Sequence, residues 1–217
     1  MDNPVRHYWE IRLQKLKKAL ESNNFDVYIA DNKDLAKKIA YNTLIPEIAP
    51  RTISWGGSVT FVGTRLYEAL KNDPRYTILD TYDKSLSPEQ SMQRRRESML
   101  VDLFITGTNA VTETGHLVNL DMIGNRVAAL TFGPKQVLLF IGRNKIVADR
   151  QAAFDRVKNY AAPVNVMRLE KKTPCGKTGE CENCSSPDRI CNTWTVTEKC
   201  FPKHRIKIVL INEDIGF

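Results

Sequence analysis

Short apolar runs alternate with helix-periodic segments through the first hundred residues, and few folds accommodate that alternation. Residues 4–22 read as an amphipathic helix. Asn3 suits its cap, Pro4 its first position, and Val5, Trp9, Leu13, Leu16 and Leu20 recur every three or four residues. Residues 26–30 read as a short strand, and residues 33–44 as a second helix stopped by Pro46. Residues 52–54 form the next strand, leading into Gly56-Gly57, and Ser58 opens a helix carrying Val62, Leu66 and Leu70. Residues 76–79 are a further strand. Ser87-Pro88-Glu89-Gln90 has the Ser-x-x-Gln form of a capping box and starts a helix running to about Leu100. Strand and helix in turn predict a parallel sheet with helices on its faces.

The second half changes character. Residues 101–106 are apolar enough for a central strand, and β-like segments follow at 115–119, 127–131 and 136–141. Gly142-Arg143-Asn144-Lys145 reads as a turn into Ile146-Val147, and a helix from about Asp149 to Tyr160 turns Phe154 and Val157 inward. After Leu169 the periodic pattern gives way to Cys, Pro, Gly, Ser and Lys until Thr195, and residues 206–211 then read as a strand returning to the main sheet. The expected organisation is one α/β domain over residues 1–217, with a cysteine-rich insertion at 170–205.

Composition narrows the functional classes. With 42% hydrophobic and 26% charged residues in 217, the chain is globular. Its apolar run at 137–141 is far short of the ~20 residues that span a bilayer. The amino terminus lacks a basic start followed by an apolar stretch. These features lead to the expectation of a cytoplasmic protein with no membrane span. The net charge of +7 suits either nucleic acid or anionic metabolites. Lys15, Lys17, Lys18, Lys37, Lys38 and residues 94–96 are scattered, without an aromatic–basic ribbon or a helix-turn-helix or zinc-finger spacing. A solvated surface is the first reading of these charges and an anion-attracting cleft the second; nucleic acid is disfavoured.

Two segments carry chemistry. In the first, Gly56, Gly57, Ser58 and Thr60 lie where a strand gives way to a helix. There glycines admit close approach, and N–H groups and hydroxyls face an anion. The pattern is neither G-x-G-x-x-G nor a Walker A loop, and a tight turn capped by Ser58 is the plainer reading of the dipeptide. In the second, Thr106, Gly107, Asn109, Glu113, Thr114 and Gly115 follow the carboxyl end of the central strand, the edge where open α/β sheets place ligands. Glu113 has the surroundings of a base, nucleophile or acceptor, while by residue type alone it is an exposed turn residue.

Taken in order, Ser54-Trp55-Gly56-Gly57-Ser58-Val59-Thr60, Val101-Asp102-Leu103-Phe104-Ile105-Thr106-Gly107-Thr108-Asn109-Ala110, Glu113-Thr114-Gly115 and Gly124-Asn125-Arg126 resemble the LUD domain, the lactate-utilisation domain family. The resemblance implies a Rossmann-like three-layer α/β/α sandwich of the NagB/RpiA/CoA transferase-like type, with a ligand cleft at one sheet edge. It also implies a link to oxidation of lactate alongside iron–sulfur partner subunits. By the same resemblance Gly56, Gly57 and Ser58 touch an anionic group, Gly107 and Asn109 form the second motif, and Glu113 matches a glutamate that is a nucleophile in related CoA transferases. Asn125 and Arg126 fill the next turn, where Arg126 would pair with a carboxylate or close an internal salt bridge.

Cys175, Cys181, Cys184 and Cys191 stand within 17 residues as C-x5-C-x2-C-x6-C, and Cys200 follows. Four soft thiolates so close in a reducing compartment suit zinc or an iron–sulfur cluster better than disulfides. The spacing is not that of bacterial ferredoxins. The plain LUD subunit has no such run. Three functions follow as expectations. The first is a component of organic-acid oxidation that binds a small anionic metabolite and works with an iron–sulfur electron-transfer partner. The second is a stand-alone transferase or isomerase using Glu113, and the third a metal-stabilised binding subunit without catalysis.

Overall fold

The computed structural model describes residues 4–217, so the expected cap at Asn3 lies outside the described residues. In chain order the strands are β1 (Asp26–Ala30), β2 (Thr52–Trp55), β3 (Thr77–Leu79), β4 (Leu103–Gly107), β5 (Ala110–Thr112), β6 (Leu117–Asp121), β7 (Gln136–Gly142), β8 (Ile146–Val147), β9 (Thr193–Thr197) and β10 (Ile206–Ile211). Six of them make a sheet ordered β1-β10-β7-β4-β2-β3, parallel throughout. The other four make a second sheet ordered β8-β5-β6-β9, in which β6 runs antiparallel to both neighbours.

A parallel sheet is buried on both faces, and successive side chains of a strand point to opposite ones. In β7, Val137, Leu139 and Ile141 join Leu13, Leu16 and Leu20 of the first helix, Pro4–Ser22. The intervening Leu138 and Phe140 join Ile53, Trp55, Phe61 and Leu66 on the other face. That second face is covered by the helices Lys33–Ile39, Val59–Gly63 and Leu66–Lys71. The first face is shared by the first helix, by Val111 and Leu117 of the second sheet, and by Ala129 and Leu130 of the helix Asn125–Thr131. The second sheet's far side packs Val118 and Leu120 on Ala153 and Val157, with Phe154 edge-on to Trp194 at 4.8 Å. The architecture is a Rossmann-like α/β/α arrangement with a small sheet added to one outer layer.

Several elements depart from the sequence expectation for identifiable reasons. Residues 127–131, expected as β-like, are helical. Ala128 and Ala129 are strong helix formers, Gly124 turns the chain at φ +86°, and Asp121 accepts the Arg126 N–H at 3.1 Å. Pro46 does not stop the second helix. A π segment, Ala40–Leu44, widens the turn before the proline, which has no N–H to give, and helix resumes over Ile45–Ile48. The helix opened by Ser58 is two, broken where Arg65 takes a left-handed conformation at φ 60°. The span 170–205 contributes β9 to the second sheet.

Strand order positions the site. From β2 the chain proceeds outward to the edge strand β3, whereas from β4 the next strand of the sheet is β7, on the opposite side. The connections leaving the carboxyl ends of β2 and β4 therefore run to opposite sides, the place where an open parallel sheet usually has its ligand crevice.

Candidate functional site at the carboxyl edge of the sheet

The glycine turn after β2 and the loop after β4 meet in this crevice. The Gly56 N–H donates to the Ile105 carbonyl at 3.0 Å. A Cβ on Gly107 would lie 2.6 Å from Ser58 Oγ, so the glycine is what lets Ser58 seat against the second loop. A Cβ on Gly56 would press on the Phe104 ring at 3.0 Å, while one on Gly57 would meet nothing within 4 Å. The turn is a tight backbone crossing with open space at Gly57.

Its donors are largely committed. Ser58 Oγ accepts the Phe61 N–H at 3.1 Å and caps a five-residue helix. The Ser58 N–H donates to the Tyr82 hydroxyl at 3.2 Å, which in turn donates to the Gly56 carbonyl at 2.7 Å. Burial pushes the Tyr82 phenol up to about 12 and keeps it neutral. Thr60, expected to donate to a bound anion, is buried and donates to the Ile215 carbonyl at 3.2 Å instead. Residues 212–216 lie across this edge, held also by Asn144 Nδ2 to the Gly216 carbonyl at 2.8 Å.

Arg126 takes the second of its two expected roles, an internal salt bridge. Nη1 donates to the Gly107 carbonyl at 3.2 Å and to Asn119 Oδ1 at 2.6 Å, and Nη2 to Asn109 Oδ1 at 2.7 Å and the Leu120 carbonyl at 3.0 Å. Nε faces Asp121 at 3.4 Å. The four Nη N–H groups thus all hydrogen-bond inside the chain, Nε is ion-paired with Asp121, and the residue is only 7% exposed. Arg126 therefore positions the loop and leaves no fork for a metabolite carboxylate. Asn109 shares in this network, its Oδ1 also accepting the Leu120 N–H at 3.0 Å. Asn125 opens the adjacent helix.

One residue beyond Gly107 stands a group that no motif indicated. Lys145 is buried, and its ammonium donates to the Thr108 carbonyl at 3.1 Å; among the described residues no carboxylate pairs with it. Burial, with the charges of Arg156 and Arg126, pushes it down to about 7 from 10.5. Arg156, itself lowered by burial, donates to the Asn109 carbonyl at 2.6 Å and the Asn144 carbonyl at 3.1 Å. Three cations thus gather around Thr108 and Asn109, with Asp121 pairing only Arg126. Thr106 Oγ1 and Asn119 Nδ2 are buried beside them without any hydrogen-bond partner. The signal available for Lys145 was a lone lysine between two apolar runs, 137–141 and 146–147, at the ligand edge of the sheet.

Glu113, Thr114 and Gly115 are carried away from the glycine turn by the β5–β6 hairpin. The Glu113 carboxylate pairs with Arg12 of the first helix and is 52% exposed. Asn23 Nδ2 donates to the Thr114 carbonyl at 2.9 Å, and a Cβ on Gly115 would lie 2.9 Å from the Ala19 backbone. Of the two readings of Glu113, the structure has the exposed turn residue rather than a base or nucleophile. A glutamate tied to an arginine on a hairpin is neither desolvated nor aimed at the crevice. Cys175, Cys181, Cys184 and Cys191 line one cavity of about 20 Å³, whereas Cys200 is buried on the first face of the main sheet. Among the described residues, no three His, Cys, Asp or Glu side chains already stand close enough to hold an ion.

The model of the LUD domain family matches residues 13–211. The crystal structure of a DUF162 family protein from Deinococcus radiodurans is similar over 94% of this chain and 98% of its own, with 14% identity and a TM-score of 0.50. Ribose 5-phosphate isomerase from Plasmodium falciparum is similar over 53% of this chain and 54% of its own, with 19% identity and a TM-score of 0.31. At such identity the first likeness concerns the fold alone. The curated proteins give no match.

Proposed function

This chain belongs to the LUD domain family, and on that premise we propose that it serves organic-acid oxidation by binding a small anionic metabolite in the crevice between residues 56–58 and 107–109. The metabolite class is a hydroxy- or keto-carboxylate of the lactate and pyruvate kind. Oxidation of the hydroxy acid releases two electrons and two protons, and the electrons pass to an iron–sulfur partner protein.

The observation that carries the reading is Lys145. A buried ammonium with one hydrogen bond and no carboxylate leaves two N–H donors and a charge uncompensated, which costs folding energy unless an anion completes it. The unpartnered Thr106 Oγ1 and Asn119 Nδ2 supply further polar atoms in the same neighbourhood. Arg126 and Arg156 set the geometry by fixing Gly107 and Asn109. The transferase reading draws no support from Glu113, whose carboxylate pairs with Arg12.

Calorimetric titration of the chain with lactate and with pyruvate tests this. Binding is expected to strengthen as pH falls through about 7, where Lys145 gains its proton. Lys145→Met is expected to weaken binding by at least about tenfold, the loss of one charge-assisted contact of roughly 1.5–3 kcal/mol. Equal affinity in the folded Lys145→Met variant, or binding that strengthens as pH rises, contradicts the proposal.

A further inference from the structure

We propose that Cys175, Cys181, Cys184 and Cys191 form a tetrathiolate metal centre, separate from the anion crevice. Four of the chain's five cysteines, spread over 17 residues, line a single cavity. The cavity admits at least one water-sized species. The thiols do not yet approach within chelating distance. Ligand ordering accompanies metal binding, so the proposal requires the cysteine segment to tighten around the ion.

The lining complements such a centre electrostatically. Four thiolates around a divalent ion leave a net charge of about −2, and the cavity is lined by two cations, Lys158 and Arg189, against one carboxylate, Glu182. Arg189 also ties the loop together. It donates to the backbone carbonyls of Cys184 and, at 2.9 Å, Cys191, and to Asn183 Oδ1 at 3.1 Å. The Thr173 hydroxyl stands 3.2 Å from Cys175 Sγ, the position of an outer partner to a ligating sulfur.

The segment also needs cohesion that its apolar residues do not provide. Cys175 and Ile190 form a small buried cluster with Val166 of the preceding helix, and Cys191, Trp194 and Val196 pack at the edge of the second sheet's core. Its one helix is the four-residue Cys175–Thr178. A loop so poor in core is the kind that a bound metal holds in small folds. Cys200 is excluded, because it packs among Phe25, Ile206 and their neighbours and its Sγ lies 3.2 Å from the Pro202 carbonyl.

The test uses the full chain purified without oxygen, with zinc, iron and acid-labile sulfide quantified and Co²⁺ binding followed by absorption. Zinc at about one per chain on a colourless protein, or iron with sulfide and broad visible absorbance, supports the centre, and the two outcomes identify its metal. Cobalt loading is expected to give intense sulfur-to-metal charge-transfer bands. Cys181→Ser and Cys184→Ser are expected to lose the metal or bind it at least about tenfold more weakly. Cys200→Ser is expected to retain it. Should the serine variants fail to fold, the wild-type chain still decides. A wild-type chain without metal, without a cobalt thiolate spectrum and with unchanged melting on zinc addition overturns the proposal, as does undiminished binding in folded Cys181→Ser.

Discussion

The proposed anion contact rests on one side chain, Lys145. In the unfolded chain its ammonium titrates near the ordinary ~10.4; in the fold, burial brings it to about 7. Between those pH values the unfolded chain binds more protons, so stability rises with pH across the window. Below about 7 the buried ammonium is charged and its cost is fully felt. Lys145→Met should therefore raise the melting temperature most near pH 6, and least above about pH 10.5, in scanning calorimetry. The same rise at both pH values contradicts a buried titrating lysine. The residue was not legible as a site because its meaning lies in what surrounds it, Thr108, Arg126 and Arg156, drawn from three other elements. Gly56, Gly57, Ser58, Gly107 and Asn109 were legible because glycine and short polar residues at strand ends have few other uses. Arg126 and Glu113 stood in recognisable motifs, yet their partners Asn119 and Arg12 decide their roles, and neither partner is near them in the motif.

Among the elements, β2 and β4 are joined at their starts by Asp102. One carboxylate oxygen accepts the Arg51 and Thr52 N–H groups at 2.9 and 3.0 Å, and the other accepts Lys135 at 2.7 Å. Lys135 first, then the Thr52 and Arg51 backbone N–H groups, hold this carboxyl well below the usual range. Its lowered value means that it stabilises the fold above the ordinary carboxylate pKa of about 4 and ceases to as pH falls through the folded value. Asp102→Asn is expected to lower the melting temperature at neutral pH, with the gap to wild type narrowing below about pH 4; a gap that stays constant contradicts this role. The main strands were readable from the sequence because each is a continuous apolar run bounded by turn residues. The second sheet was not, since β6 pairs with β9 at Thr193–Thr197, some seventy residues away, and a three-residue strand such as β5 has no period of its own. The helix Asn125–Thr131 is not legible, because its apolar run of four, Val127 to Leu130, fits strand and helix alike.

Across the whole molecule, two neighbourhoods meet on one stretch of chain. Arg156, the last residue of the helix Arg150–Arg156, donates to the Asn109 carbonyl, and Lys158, two residues on in the π segment Val157–Ala161, lines the thiol cavity. Asn192, next to Cys191, donates to the Asp121 and Met122 carbonyls at 3.1 and 3.0 Å, just after the strand that carries Asn119. The proposed anion crevice and the cysteine segment are therefore braced by shared elements, and no helix of the described residues is long and apolar enough to cross a membrane. The most direct trial of the account is a crystal structure of the chain grown at pH 6 with pyruvate at a concentration that calorimetry shows to be saturating. The account predicts the carboxylate against Lys145 Nζ at the carboxyl ends of β2, β4 and β7. Pyruvate bound only at surface lysines, with the Lys145 ammonium still holding the Thr108 carbonyl alone, would contradict it.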